Sequence, residues 1–400
     1  MLHTKTMLLK SSHKILLYFV ISALGFGLGC SKGLDATEKL AKPSAEEAET
    51  YGKNLEGALN ACDLKIMGQL LDLGAMASEG IRTSKIPKKQ QATALQTLVT
   101  TMNKEILTQL CSQGEAGGLA RFLRVRERQG ITTTLFRLTS AEGINYIEVN
   151  IGKGKDGVIV GNDIYMFLTG SSMTETLRTI FNALLQTGES TVSEFQRVNE
   201  LLTSNPAAGV QSAQSLPAKI RDTKIVQIGI VQAASNLDDK TYTEAISNYQ
   251  RLFPNDPSVD LVSIDGLFLN KKYTQAIAAI DRLEKGVGGD PYLNQMRAGI
   301  LIEQGTDTKR AVALAKLAVA AEPGDEDGQV ILLSAEAANK NVPGIVEQMF
   351  ILSDKFDYQF TEALLPELTD AHEELAKSEA WAKYKAKYPA AALVPVPETE

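Results

Sequence analysis

The stretch NYIEVNIGKGKDGVIVGNDIYMF, residues 145–167, decides the fold of the first half of the chain. Within it GKGKDG, residues 152–157, spells the G-x-G-x-x-G fingerprint of a dinucleotide loop. Such a loop must follow a strand and open a helix, because the helix N-terminus is what holds the pyrophosphate. Here strand alternation runs on both sides. Ile147, Val149 and Ile151 share one face, Tyr146, Glu148 and Asn150 the other, and VIVGNDIYMF reads as a second strand. Lys155-Asp156-Gly157 is then a hairpin turn in which glycine supplies positive φ. The stretch predicts two antiparallel strands and no nucleotide site.

Working outward, LARFLRVRERQ (119–129) and ITTTLFRLTS (131–140) are rich in β-branched and aromatic residues and are separated by Gly130. Four strands with such short connections make an antiparallel meander. Upstream the period changes to that of helices. From Glu46, apolar residues recur at three-and-four spacing: Leu55 and Leu59, then Leu64, Met67, Leu70 and Leu71. Asp63 stands where it can cap the second helix, and Pro87 opens a third that Gly114 and Gly117 close. Three helices before a curved antiparallel sheet is an α+β arrangement.

ALNACDLKIMGQLLD (58–72), followed by RLTSAEGINYIEVNIGKGKDGVIVGNDIYMF (137–167), resembles the NTF2-like (SnoaL, ketosteroid-isomerase-like) superfamily. In that family a helix pair joined through an Asp precedes a cone-shaped sheet, and Asp63 and Asp163 fall at its acidic positions. The resemblance covers residues 46–170. It implies a cone that often encloses an apolar pocket, and in some members proton transfer by a buried carboxylate with a Tyr donor. Tyr146, Glu148, Asp163 and Tyr165 are the residues able to line such a pocket. Tyr146 and Glu148 share a strand face, for which a solvated outer face is the expected surrounding, and no His stands with them. The alternating Arg124, Arg126 and Arg128 read as a solvated strand face or as partners for acidic neighbours.

From Ser171 the chain is helical with a second, longer period. YTEAISNYQRLFPNDP (242–257), YTQAIAAIDRLEKGVGGDP (273–291) and KRAVALAKLAVAAEPGD (309–325) echo one another, and PGIVEQMFILSDKF (343–356) is a weaker copy. Pro257 to Pro291 spans 34 residues, Ala276 to Ala311 spans 35, and Ala311 to Ile345 spans 34. Helix pairs at this period resemble tetratricopeptide repeats. Gly299 is the small residue of a first helix; Ala311, Ala315 and Ala318 line one face of a second, and Pro323 closes it. Small residues let helices approach closely, and the proline stops each pair. Ile264 occupies the small position of an earlier copy, and the family's Trp is absent. In that family the first helix of each pair lines the partner-binding face. Carried over by offset, this gives Leu261, Asp265, Phe268, Met296, Ile300, Glu303, Val330 and Ser334. Apolar residues ringed by acids would suit an extended peptide with a basic element; the alternative is that these side chains pack in the core.

The leader bears on location. Lys5, Lys10 and Lys14 precede an apolar run, Ile15 to Leu28, that is short for a membrane span. GLGCSKG ends it and resembles the signal peptide of bacterial lipoproteins, with Gly29 and Cys30 at the processing site and Gly27 where the family usually has Leu. The resemblance implies that Cys30 is acylated, palmitate among its chains, and that Ser31 directs the protein to the outer membrane, facing the periplasm. Export makes Cys62 and Cys111 an even pair in an oxidising compartment. A bridge between them could contribute ~4 kcal/mol in the chain-entropy model; two small buried thiols are the alternative.

The formal charge is −7, and the leader holds three lysines and no acid, so the remainder is more acidic still. That argues against nucleic acid, which needs a concentrated basic surface. Of three histidines, His3 and His13 lie in the leader, so His372 alone offers little for metal or Ser/Cys-His chemistry. The expected layout is therefore signal peptide 1–29, tether 30–45, NTF2-like α+β domain 46–170, tetratricopeptide-like all-α solenoid 171–388 and a charged, unfolded tail 389–400. The expected function is a lipid-anchored scaffold of the cell envelope that binds a protein or peptide, without cofactor, metal or nucleotide. The alternatives are a small-ligand pocket protein and an isomerase- or dehydratase-type enzyme.

Overall fold

The structure is a computed structural model that describes residues 40–115, 119–140, 143–186 and 189–389. The leader with Cys30, most of the tether and the tail beyond 389 lie outside the described residues. The chain divides into two compact units, one ending at Gly266 and the other beginning at Leu267.

In the first unit, α1 (Ala45–Asn60), α2 (Leu64–Leu70), α3 (Leu73–Arg82) and α4 (Lys88–Glu115) precede the sheet. Ser44 opens α1 with a capping box, its hydroxyl accepting from Glu47 N while the Glu47 carboxylate accepts from Ser44 N. Asp63 caps α2 as expected, accepting from Lys65 N and Ile66 N at 3.1 and 3.0 Å. Among the described residues four helices, not three, precede the sheet. The apolar period runs unbroken from Leu70 to Leu73, but Leu71 forms a bridge with Gly161 and Asp72 N donates to Gly161 O at 2.8 Å. Asp72 then caps a new helix by accepting from Ala75 N at 2.8 Å. A long-range backbone contact overrides the local helical preference.

The sheet is a meander: β1 (Leu119–Arg128), β2 (Ile131–Ser140), β3 (Gly143–Lys153), β4 (Ile159–Met166) and the two-residue β5 (Ser171–Ser172) pair antiparallel in chain order. GKGKDG is the β3–β4 hairpin. Gly154 N donates to Val158 O at 2.8 Å, Gly157 N to Gly154 O at 3.0 Å, and Gly157 has φ +86°. Strands flank it on both sides, as the alternation predicts.

Register assigns the two faces. Phe122, Phe136, Ile147 and Met166 oppose one another in a row across four strands, and so do Thr134, Val149 and Ile164 across three. This helix side meets α1: Gly52 lies so close to the Phe122 ring that a Cβ there would overlap it. The far side carries Leu135, Glu148 and Tyr165 in another row. Both faces of β3 are buried.

After the sheet in the chain come α5 (Met173–Leu185), α6 (Glu189–Ser204), α7 (Pro206–Ala213), α8 (Ala218–Arg221), α9 (Lys224–Ser235) and α10 (Asp239–Leu252). Every residue of α9 from Ile225 to Ala234 is buried, which makes it a central helix. The following helix, α11 (Ser258–Leu269), contains the division between the units.

The second unit contains α12 (Tyr273–Val287), α13 (Tyr292–Gln304), α14 (Thr308–Ala321), α15 (Glu326–Ala338) and α16 (Val342–Phe356). Each packs on the next, and α13 also packs on α15. Ala298, Leu301, Ala311, Val312, Ala315, Ile331, Leu332 and Ala335 form one buried seam. Arg297 ties α13 to α12: its Nε donates to Asp281 Oδ1 at 2.9 Å and its Nη2 to Glu284 Oε2 at 2.6 Å. Asp357, in the left-handed region at φ +59°, ends α16. A 3-10 turn (Glu362–Leu364), α17 (Leu365–Leu368), α18 (His372–Lys377) and α19 (Glu379–Lys387) follow. They close the stack with a second core in which Trp381 and Tyr384 join Val330, Val346, Met349 and Phe360.

Candidate functional site

The far side of the sheet gathers charge. Alternation along β1 places Arg126 opposite Thr133, and β4 places Tyr165 opposite Glu148. Glu148 is 1% exposed. Its Oε1 accepts from Thr133 Oγ1 at 2.6 Å and lies 3.7 Å from Arg126 Nε; its Oε2 accepts from Arg128 Nη1 at 3.3 Å. The Arg128 guanidinium also sits 4.0 Å above the centre of the Tyr165 ring. Tyr165 and Tyr146 both meet Phe167 edge-on, at 5.4 and 5.9 Å between ring centres. The solvated face expected for Tyr146 and Glu148 is therefore a buried one. Arginines from β1 supply the opposing charge. Burial pushes the Tyr249 hydroxyl of α10 up, and the charges of Asp256 and Tyr165 add to it.

A general base must turn an oxygen toward the reacting group. Glu148 spends both on donors of its own chain, and so ties together β1, β2 and β3. Asp163 serves elsewhere: its Oδ1 accepts from Ile164 N at 2.9 Å and from Thr174 N at 3.1 Å, in the first turn of α5. Of the four pocket candidates, Tyr146, Glu148 and Tyr165 come together and Asp163 acts as a cap.

The helix side holds what sequence reasoning missed. Thr132 Oγ1, Thr134 Oγ1 and Asn145 Nδ2 are buried without a hydrogen-bond partner. The other amide atom of Asn145 accepts from Tyr146 N at 2.8 Å and Leu168 N at 3.2 Å. The sequence signal is the run of three threonines in β2, whose alternation must turn some hydroxyls toward the apolar core.

A polar lock joins the sheet to the helices behind it. Lys224 Nζ donates to Gly170 O at 3.2 Å and pairs with Asp256, whose Oδ1 accepts from Ser258 N at 3.0 Å and Ser258 Oγ at 2.5 Å. Ser258 Oγ also bonds the Tyr249 hydroxyl at 2.5 Å. Gly170, at φ +57°, leaves the space that Asp256 occupies.

Cys62 is disulfide-bonded; the side chain of Cys111, its expected partner on α4, lies outside the described residues. Of the residues expected to face a partner, Leu261, Asp265, Phe268, Ile300 and Val330 are buried, Met296 and Ser334 half-buried, and only Glu303 exposed. Asp265 accepts from the Tyr242 hydroxyl at 3.0 Å, Phe268 packs edge-on against Tyr273, and Val330 belongs to the core around Trp381. The burial of these five is what the core alternative expects.

Among the described residues no helix is long and apolar enough to cross a membrane, and no three His, Cys, Asp or Glu side chains are grouped to hold a metal ion. Compared with protein-family models, with curated proteins and with solved structures, the chain matches none.

Proposed function

We propose that this chain is a lipid-anchored scaffold of the bacterial cell envelope, held by acylated Cys30, in which an NTF2-like domain precedes a tetratricopeptide-like solenoid that binds a protein or peptide. The observation that carries the reading is the alanine-rich seam of α13, α14 and α15, with α13 touching α15 past α14. Contact between every second helix is how stacked helical hairpins build an extended surface. Glu303, with half-buried Met296 and Ser334, remains available to a partner. Two measurements test the reading. Alkyne-tagged palmitate fed to a Gram-negative host expressing the full chain should label it, and should not label Cys30→Ala; equal labelling of both excludes the anchor. A photoreactive residue at Glu303 should cross-link a protein that the same residue at Lys53, on α1, does not reach. Identical adducts from both positions would count against the solenoid as the binding surface.

A small-ligand reading is favoured by one observation, the three unpartnered polar atoms on the helix side. Thr134→Val separates the cases. Without a ligand, removing a buried unbonded hydroxyl should stabilise the protein by about 1 kcal/mol. If a native ligand bonds Thr134, protein purified with that ligand should instead melt lower than the parent. An isomerase- or dehydratase-type reading needs a carboxylate with a free oxygen, and Glu148 keeps both of its own engaged.

A further inference from the structure

The described chain begins at one end of the sheet. Ala41 N donates to Lys153 O and Lys153 N to Ala41 O, both at 2.8 Å. Ala41 thus holds the place beside β3 just past the last β2–β3 pair, Thr133 with Asn150. Leu40 lies so close to Gly152 that a Cβ there would overlap it. Lys42 then pairs with Glu127 of β1 at 2.6 Å. The tether is therefore fastened where the β1–β2 and β3–β4 hairpins turn. Both turns expose a large apolar residue. Ile131, two residues past Thr133, is 45% exposed and Val158 is 51% exposed, with Leu40, Ile159 and Val160 half-buried. A single exposed apolar residue is ordinary on a protein surface. Two at hairpin turns on the same end, with Leu40 fastened at that end, make a patch of the kind that marks a contact surface. Lys42 is already paired, and Lys153 pairs with Glu47 at 2.5 Å, so apolar contact rather than charge would hold a partner here.

We infer that this end of the sheet docks on the membrane surface, with Ile131 and Val158 entering the headgroup layer. The inference rests on the lipid anchor proposed at Cys30. Ten residues carry the chain from Cys30 to Leu40, so the acylated cysteine lies at most roughly 36 Å from the patch. The opposite end of the sheet exposes Leu119, at 59%. Leu119 pairs with Thr139, eight residues from Ile131 along β2, which sets it roughly 26 Å further off. Of the two ends, the one that holds the tether meets the bilayer first. Apolar side chains are stabilised at the boundary of headgroups and acyl chains. A surface already tethered meets that boundary at high effective concentration, so a contact too small to recruit a free protein can persist.

The test uses the full chain, expressed in a Gram-negative host and reconstituted into vesicles of phosphatidylethanolamine and phosphatidylglycerol whose acyl chains carry bromine, a contact quencher of tryptophan. Ile131→Trp and Val158→Trp, made separately, should each lose severalfold more emission than Leu119→Trp once the parent's Trp381 signal is subtracted. That loss should persist in high salt. Adding Ile131→Asp to Val158→Trp should restore most of the emission. Palmitate label at Cys30 and retention on the vesicles are read in the same samples. Labelled, retained chain in which the three new tryptophans are quenched alike, or none is quenched, overturns the contact and leaves the anchor standing. Chain that is neither labelled nor retained overturns both. Quenching that high salt abolishes assigns the contact to charge and overturns the apolar one.

Discussion

Glu148→Gln would keep the shape of the side chain and remove the charge that Arg126 and Arg128 share. Burying a charge without its counterion is costly, but both arginines are partly exposed, at 27% and 41% of their side chains, and can turn toward water. The expected loss is therefore about 2 kcal/mol, below the range for a fully buried pair. Urea unfolding checks it, with an unchanged slope showing that the end states are the same. A neutral result would mean that the carboxylate does not hold the three strands. At Gly170 the backbone is left-handed and the Cβ position is taken by Asp256. Gly170→Ala should destabilise by at least about 2 kcal/mol, through strain and through displacement of Asp256 from Lys224. A melting temperature equal to the parent's would show that the lock tolerates a methyl group.

At the scale of elements, α19 carries the only tryptophan of the chain, fully buried and stacked on Tyr384 with 5.1 Å between ring centres. Two carboxylates at its docking surface are held below their usual range, Asp354 chiefly by Lys387 and then Tyr388, Glu362 chiefly by Lys385 and then Trp381. A depressed carboxyl stabilises the fold above its unfolded value, about 4, and the contribution disappears as pH falls through the folded value. Trp381 emission should therefore change below about pH 4 and report the closing helices of the second unit. In Asp354→Asn/Glu362→Gln that acid step should vanish; an unaltered step would assign it to other carboxylates. Local periods made much of this layer legible: hairpin glycines, the Asp63 cap and the helix pairs stand where spacing puts them. The split at Asp72 was not, because Gly161 imposes it from ninety residues away. Nor was the burial of Tyr146 and Glu148, since the neutralising arginines come from β1 and the ring beside Tyr146 from Phe167 beyond β4. Offsets along repeats placed Val330 on its helix correctly but could not show that α19 returns to cover it.

At the scale of the whole chain, the helices from α5 to α10 group with the sheet in one unit, and the Gly170–Lys224–Asp256 lock shows why. A fragment of residues 40–170 loses the lock of Lys224, Asp256, Ser258 and Tyr249, whereas 40–269 retains it. The longer fragment should unfold cooperatively in urea, and the shorter should bind the dye ANS and lack near-ultraviolet dichroism. A cooperative transition in the shorter one would show that the sheet is complete without the helices behind it. The order of these segments also matters while the protein is being made. The meander is finished at Ser172, but Tyr249 emerges almost eighty residues later, a delay of roughly 4–15 s at ordinary translation speeds. Throughout that interval Glu148 already has Arg126, Arg128 and Thr133 beside it, so the nascent sheet carries its buried carboxylate neutralised before the last of these helices is made.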